Sequence, residues 1–356
     1  MNPKKTIRVL LVEDSAVALV MLKRMLDVPG IEVVGEARDG LKGLELVEKL
    51  RPDVICTDLH MPRMNGLQMT HEVMNRWPTP ILVVSCSVQD DDPHNTFELM
   101  EAGAVDVLPK PRDGLLRFEK IKAELVSKVR VLSGVHPIKR SHPSHIMGAA
   151  ELRAVDAKKG RKVRIIAVGA STGGPVALES IFSILPRDFP VPIVCVQHIS
   201  MGFLVDLASW LSTRCKLRVK VAENGEVPVP GSIYFAPDTA NMEFNNDGAI
   251  RIVPLPDGDT NPLSIDVTFS SVARHYGKNA VGVLLTGMGS DGASGLQLIA
   301  NAGGITMAQN EESCVVYGMP KVAIETGAAK HVLPLDSFAV ALIEVANGGP
   351  CPGAGP

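Results

Sequence analysis

The chain has 356 residues, 46% of them hydrophobic, 21% charged and 4% aromatic, with 36 Lys and Arg against 39 Asp and Glu. That length suits two domains of about 150 residues each, the apolar share excludes wholesale disorder, and a net charge of −3 gives no long-range pull toward nucleic acid or an anionic membrane.

In the first part, apolar runs at 7–12, 31–34, 53–57, 81–85 and 104–108 alternate with helical patterns at 15–26, 40–50, 66–77 and 92–101, and a last helical pattern covers 117–131. Five βα units in succession predict a parallel sheet with helices on both faces. Pro29, Gly30, Pro52, Pro78 and Pro80 punctuate the units as turn residues.

Between 133 and 162 the character changes: seven Lys and Arg stand against two acids, with Pro137, Pro143 and no sustained period. This predicts a flexible basic linker. His136, His142 and His145 lack the spacing of a metal tract.

From 163 the α/β pattern resumes. Strands are expected at 163–168, 192–197, 217–222, 232–236, 249–253, 281–285 and 305–308, and helices at 174–185, 202–212, 267–276, 293–302 and 320–328. The stretch 217–253 holds strands with no helices between them. The expectation is a doubly wound α/β domain whose sheet is mixed but mostly parallel, with one antiparallel hairpin. The domains divide at 1–132, 133–162 and 163–347, and the Gly- and Pro-rich end, 348–356, reads as a disordered tail.

The six cysteines are scattered, three of them within apolar runs, as in a reduced cytoplasmic protein. The N-terminus starts basic and turns apolar, but the run stops at Glu13 and Asp14, too short for a secretory signal. No stretch approaches the roughly 18 apolar residues of a membrane span, so membrane insertion is not expected.

In an open parallel sheet, function collects at the carboxyl ends of the strands. Glu13 and Asp14 follow the first strand, Asp58 the third, Ser85 ends the fourth, and Lys110 follows the fifth. Three crowded carboxylates need a cation, and an oxygen-only donor set suits Mg²⁺. A carboxylate beside that ion, facing a Lys, can attack a phosphoryl group. The plainer alternative is that acids at strand ends only cap the helices that follow.

The segments LLVEDS, TDLHMPRMNG, VVSCS and AVDVLPKP together resemble the receiver domain of two-component response regulators, a flavodoxin-like (βα)5 fold, over about residues 5–130. The resemblance implies that Asp58 accepts phosphate from a histidine kinase. It implies Mg²⁺ held by Asp14, Asp58 and the backbone carbonyl of His60, with Glu13 acting through water. Ser85 and Lys110 would bind and sense the phosphoryl group. Val107 stands where the family often has an aromatic switch residue.

In the second part, strand 163–168 ends in Gly169-Ala170-Ser171-Thr172-Gly173-Gly174-Pro175. Three readings are open: a strand–turn–helix nucleophile elbow around Ser171, a degraded dinucleotide fingerprint, or Ser171 as a helix N-cap. A serine nucleophile needs a base and an orienting acid. His198 ends a strand, His275 lies within a helix, and His331 precedes the last strand-like piece. Asp291 is the one charge in a loop with Gly287, Gly289, Gly292 and Gly295. Ser171–His198–Asp291 and Ser171–Asp291–His331 both remain possible, as does Asp291 serving only as an N-cap.

AVGASTGGP, VQHISMGF, GSIYFAPD, LLTGMGSDGASGL and CVVYGMPKVA resemble, in order, the catalytic domain of chemotaxis protein-glutamate methylesterases, over about residues 163–337. The resemblance implies a phosphorylation-activated esterase that hydrolyses glutamyl 5-methyl esters on chemoreceptor helices and, in many members, deamidates receptor glutamines. It implies Ser171 as nucleophile, His198 as base and Asp291 as orienting acid, with N–H groups near Thr172 and Met288 as the oxyanion hole and no cofactor for the esterase. A receiver fused to a dinucleotide-binding module is the competing architecture. It leaves His198 and the Asp291 loop without a role.

Overall fold

The computed structural model describes residues 6–85, 94–110, 115–135, 162–255 and 263–351. The chain divides into two compact units near residue 140. The expected linker lies mostly at 136–161, outside the described residues.

The first unit is a five-stranded sheet flanked by helices. Its elements are β1 (Ile7–Val12), α1 (Ala16–Leu26), β2 (Ile31–Ala37), α2 (Gly40–Leu50), β3 (Val54–Thr57), α3 (Gly66–Arg76), β4 (Ile81–Ser85), α4 (His94–Glu101), β5 (Asp106–Pro109) and α5 (Leu115–Leu132). The strand order is β2-β1-β3-β4-β5, all parallel. β3 and β4 are buried throughout, as strands covered on both faces should be. The chain winds outward from β1 in both directions, so the crevice between β1 and β3 is the switch point of the sheet.

Capping side chains start three of these helices. Ser15, Asp39 and Asn65 each accept a backbone N–H of the first turn of α1, α2 and α3. Asn65 and Gln68 complete a reciprocal capping box.

The second unit contains β6 (Ile165–Ala170), α6 (Gly174–Phe182), β7 (Ile193–Gln197), α7 (Leu204–Arg214), β8 (Arg218–Val221), β9 (Ser232–Phe235), β10 (Ala240–Phe244), β11 (Ile250–Pro254), α8 (Ile265–Tyr276), β12 (Ala280–Leu284), α9 (Ala293–Asn301), β13 (Ile305–Gln309), α10 (Met319–Glu325), β14 (His331–Leu333) and α11 (Phe338–Ala346). Seven strands form one sheet in the order β14-β13-β12-β6-β7-β9-β8. Every pairing in it is parallel. The antiparallel component sits apart from that sheet: β10 and β11 form their own hairpin.

The apolar face of α8 (Phe269, Val272) shares a core cluster with hairpin residues Met242 and Phe244 and strand residues Ile165 and Val194. Two hydroxyls on α8 also pin β10. Thr268 Oγ1 donates to the Met242 carbonyl at 2.8 Å, and Ser271 Oγ accepts the Phe244 N–H at 2.6 Å. A short edge strand that would otherwise expose unpaired backbone groups is thereby covered.

Here too the chain winds outward from its first strand, placing β6 and β12 on either side of the switch point. Of the expected tail, residues 348–351 are among the described residues. The Gly349 N–H donates to the Glu344 carbonyl at 2.8 Å, and Cys351 is buried. Residues 352–356 lie outside the described residues. Among the described residues, no helix is long and apolar enough to cross a membrane.

Candidate functional site

The switch point of the first unit gathers the acidic residues. Glu13, Asp14 and Asp58 each place a carboxylate oxygen within 4.8 Å of the others. Glu13 and Asp58 are buried and Asp14 is exposed. Lys110 reaches in from the end of β5, with Nζ at 2.7 Å from Asp58 Oδ2 and 2.9 Å from Glu13 Oε1.

Burial raises the pKa of both Glu13 and Asp58, while the Lys110 ammonium pulls against that rise. Burial works against the ammonium as well, but Asp58 and Glu13 outweigh it and lift the Lys110 pKa. Glu13 Oε2 is buried with no hydrogen-bond partner, so the cluster keeps an acceptor unsatisfied. One ammonium against three carboxylates leaves excess negative charge, and the all-oxygen donor set fits a hard divalent cation.

The capping alternative fails here, because α1 and α3 are capped by Ser15 and Asn65. Ser85 ends β4, buried, and its carbonyl accepts the Lys110 N–H at 2.8 Å. His60 lies exposed in the loop after β3, and Val107 is fully buried in β5. Gly66 lets this loop close. A Cβ there would stand 2.1 Å from the Asp58 carbonyl oxygen.

In the second unit, Ser171, His198 and Asp291 follow β6, β7 and β12. β6 lies between the other two strands, with Ala170 paired to Gln197 and Gly169 to Leu284. Ser171 and His198 therefore emerge side by side from adjacent strand ends. The Ser171 N–H donates to the Thr286 carbonyl at 3.0 Å, and the His198 N–H to the Ala170 carbonyl at 2.9 Å.

Ser171 does not cap α6. The N-cap is Gly173, at φ +79°, with no side-chain hydrogen bond. The start of α6 therefore lies just beyond Ser171, which places the positive end of the helix dipole next to the serine. Gly287 presses on the same turn: a Cβ there would come 2.5 Å from Ser171 Cβ.

His198 Nε2 lies 3.0 Å from Asp291 Oδ2, off the line of its ring N–H. The carboxylate is fixed from behind by the start of α8. It accepts the Ile265 N–H at 2.7 Å, the Asp266 N–H at 3.1 Å and the Ser264 hydroxyl at 3.0 Å. Its own loop adds the Gly292 N–H at 3.0 Å. Burial pushes the Asp291 pKa up, but His198 and the Ile265 and Asp266 N–H groups outweigh it and hold the carboxyl at about 2. Asp291 is thus ionised at neutral pH. It does cap a helix, but that helix is α8; α9 has Gly292 at its N-cap.

The other histidines lie elsewhere. His331 is the first residue of β14, the strand at the sheet edge, where it pairs with Met307 of β13, two strands away from β12. His275 is in the last turn of α8, edge-on to Tyr276 with ring centroids 4.6 Å apart.

Thr172 is buried behind Ser171, and its carbonyl accepts Thr286 Oγ1 at 3.0 Å. Met288 is half-buried beyond Gly287. The reading of the sequence missed Gln197, Ser264, Asp266, Thr286 and Gln309. Gln309 Oε1 accepts the Thr286 N–H at 2.8 Å. Gln197 and Gln309 had a legible signal: each is an amide closing a strand of mostly apolar, buried residues.

A family model described as CheB methylesterase matches residues 166–342, and one described as response regulator receiver domain matches residues 9–121. The protein-glutamate methylesterase/protein-glutamine glutaminase 4 of Geobacter metallireducens is 40% identical over 343 residues, covering 96% of this chain and 99% of the relative. The protein of the same activity name from Nitrosospira multiformis is 43% identical over 346 residues, covering 94% and 96%. The crystal structure of the Thermotoga maritima CheB methylesterase catalytic domain is 39% identical, spans 52% of this chain and 99% of its own, and superposes with a TM-score of 0.49. With receiver and esterase models matched in order and relatives aligned end to end, the chain belongs to the protein-glutamate methylesterase/protein-glutamine glutaminase family of receiver-linked CheB methylesterases.

Proposed function

We propose that the chain is a phosphorylation-activated serine esterase of the cytoplasm. It hydrolyses glutamyl 5-methyl esters on chemoreceptor helices and, by the same route, converts receptor glutaminyl amides to glutamate. The observation that carries the reading is the 3.0 Å approach of His198 Nε2 to an Asp291 carboxylate pinned at the start of α8, one strand away from Ser171. The activity names of the full-length relatives support the choice of substrate.

Ser171 Oγ attacks the ester carbonyl carbon while His198 takes its proton. With Nε2 turned to Asp291, Nδ1 is the nitrogen that accepts. Asp291 holds the ring and stabilises the imidazolium. The N–H groups near Thr172 and Met288 face the developing oxyanion, and the start of α6 adds its dipole. His198 returns the proton to the leaving methanol. It then takes one from water, which attacks the acyl-serine, and returns it to Ser171 Oγ as the acyl bond breaks and glutamate is released. Such general acid–base help is worth roughly 10²–10⁴-fold.

In the receiver, Asp58 attacks the phosphoryl group on a phosphohistidine of a histidine kinase, breaking the P–N bond so that the imidazole leaves. Lys110 faces the developing charge and Ser85 offers a hydroxyl to a phosphoryl oxygen. Asp14, Asp58 and the His60 carbonyl would hold Mg²⁺, with Glu13 acting through water. That ion, when bound, supplies charge neutralisation at the phosphoryl oxygens. The test is the rate of methanol release from methylated receptor membranes, with and without a small-molecule phosphodonor and Mg²⁺. The wild type should accelerate severalfold and Asp58→Asn should not. Equal acceleration in both would overturn the reading.

A further inference from the structure

Gln197 is the last residue of β7, a strand buried along its whole length, and the residue is 2% exposed. Its Nε2 donates to two main-chain carbonyls, that of Ser171 and that of His198, each at 2.8 Å. Both amide hydrogens are thereby used, one on the nucleophile residue and one on the base residue. The orientation follows from the acceptors: a reversed amide would set its oxygen against two carbonyl oxygens.

Satisfying the Ser171 carbonyl does not require this bond, since that oxygen already accepts the Gly174 N–H at 2.7 Å. What Gln197 adds is a link between the two turns. The main chain ties Ser171 to Thr286 and His198 to Ala170, but only through the strand ladders below them. The bridge also leaves a buried group unsatisfied. Oε1 is buried without a partner and packs against Gly174, where a Cβ would meet it at 2.1 Å. An orphaned buried carbonyl is a standing desolvation cost, and an apolar side chain of the same length would avoid it.

We infer that Gln197 is a positioning residue that sets the distance between the nucleophile and base turns by bridging the Ser171 and His198 carbonyls. The inference rests on the Ser171–His198 reading of the site. Catalysis is sensitive to this spacing, because a displacement of about 1 Å can cost on the order of 100-fold.

The test uses the full chain and four proteins: wild type, Ser171→Ala, Gln197→Met and Gly174→Ala. Gln197→Met keeps the length and removes the donor. Gly174→Ala keeps the amide and displaces it through the clash at Oε1. Both should lower kcat for methanol release by about tenfold or more with KM within about twofold. The rate at which a fluorophosphonate labels Ser171 should fall in step. If Gln197→Met does not fold, Gly174→Ala decides alone. A kcat within about twofold of wild type in the folded variants, with Ser171→Ala inactive, overturns the bridge and leaves the triad standing. So does a loss confined to KM, which would make Gln197 a substrate-binding residue. Activity retained in Ser171→Ala overturns the triad itself, and the bridge with it.

Discussion

Asp266 and Asp291 cap each other's helices. Asp291 accepts the Asp266 N–H at the start of α8, and Asp266 Oδ1 accepts the Gly295 N–H in the first turn of α9 at 2.6 Å. Gly295 lets the helices approach, since a Cβ there would come 2.5 Å from Phe269 Cβ. The acid facing His198 therefore belongs to a locked corner between two helices rather than to a free loop.

That corner places two carboxylates together. Burial raises the Asp266 pKa, and the Asp291 charge raises it further against the pull of the Gly295 N–H. Asp266→Asn keeps an acceptor and removes a like charge, so its stability should match or exceed wild type. Asp266→Ala removes the acceptor and should lose about 1 kcal/mol. Denaturant unfolding checks both, and equal loss in the two variants would contradict the capping role.

Asp291 makes stability depend on acid pH. Its folded-state pKa of about 2 lies below the ordinary aspartate value of 3.8. The stabilisation is present above the unfolded value and is lost as pH falls through the folded one. At neutral pH it amounts to about 2 kcal/mol. The stability gap between wild type and Asp291→Asn should therefore narrow between about pH 4 and pH 2, as read by thermal melts. A gap that stays constant across that window contradicts the assignment. Asp291→Asn should also lower kcat by about 10³–10⁴-fold.

In the receiver, three carboxylates crowd together and Lys110 pairs with two of them, Glu13 and Asp58. Millimolar Mg²⁺ should raise its melting temperature, because a ligand at tenfold its Kd stabilises by roughly 1.4 kcal/mol. Asp58→Asn should lose most of that shift while remaining folded. Calorimetry with and without the ion checks this, and an undiminished shift in Asp58→Asn would place the cation elsewhere.

Gly287→Ala would put a methyl group 2.5 Å from Ser171 Cβ and 2.9 Å from Met319 Cε. Relief must come from the nucleophile turn or from α10. The variant should lose roughly 1–3 kcal/mol of stability and about 100-fold in kcat. Unaltered turnover would show that the turn yields without consequence.

The sequence made the receiver legible because its apolar runs end in charged residues at strand ends, and β1, β3 and β4 fall where the runs do. It also placed Ser171, His198 and Asp291 at the carboxyl ends of strands. Side-chain satisfaction was not legible. Asp266 and Thr286 act through backbone groups distant in sequence and Ser264 through the distant Asp291 carboxylate, which no local period encodes. β10 was missed because Asn241 and Glu243 alternate with buried residues on a short hairpin strand held by α8. α11 was missed because FAVALIEVA is nearly all apolar and shows no amphipathic period. The parallel β8–β9 pair was read as part of a mixed sheet because parallel strands usually flank a helix, and none lies between these two.

The most direct test of the central claim is methanol release from methylated chemoreceptor membranes by wild type and by Ser171→Ala at equal concentration. The wild type should release methanol steadily and Ser171→Ala should lose nearly all of that release, with a folded variant confirmed by its melting curve. Release by Ser171→Ala at a rate close to wild type would contradict the claim.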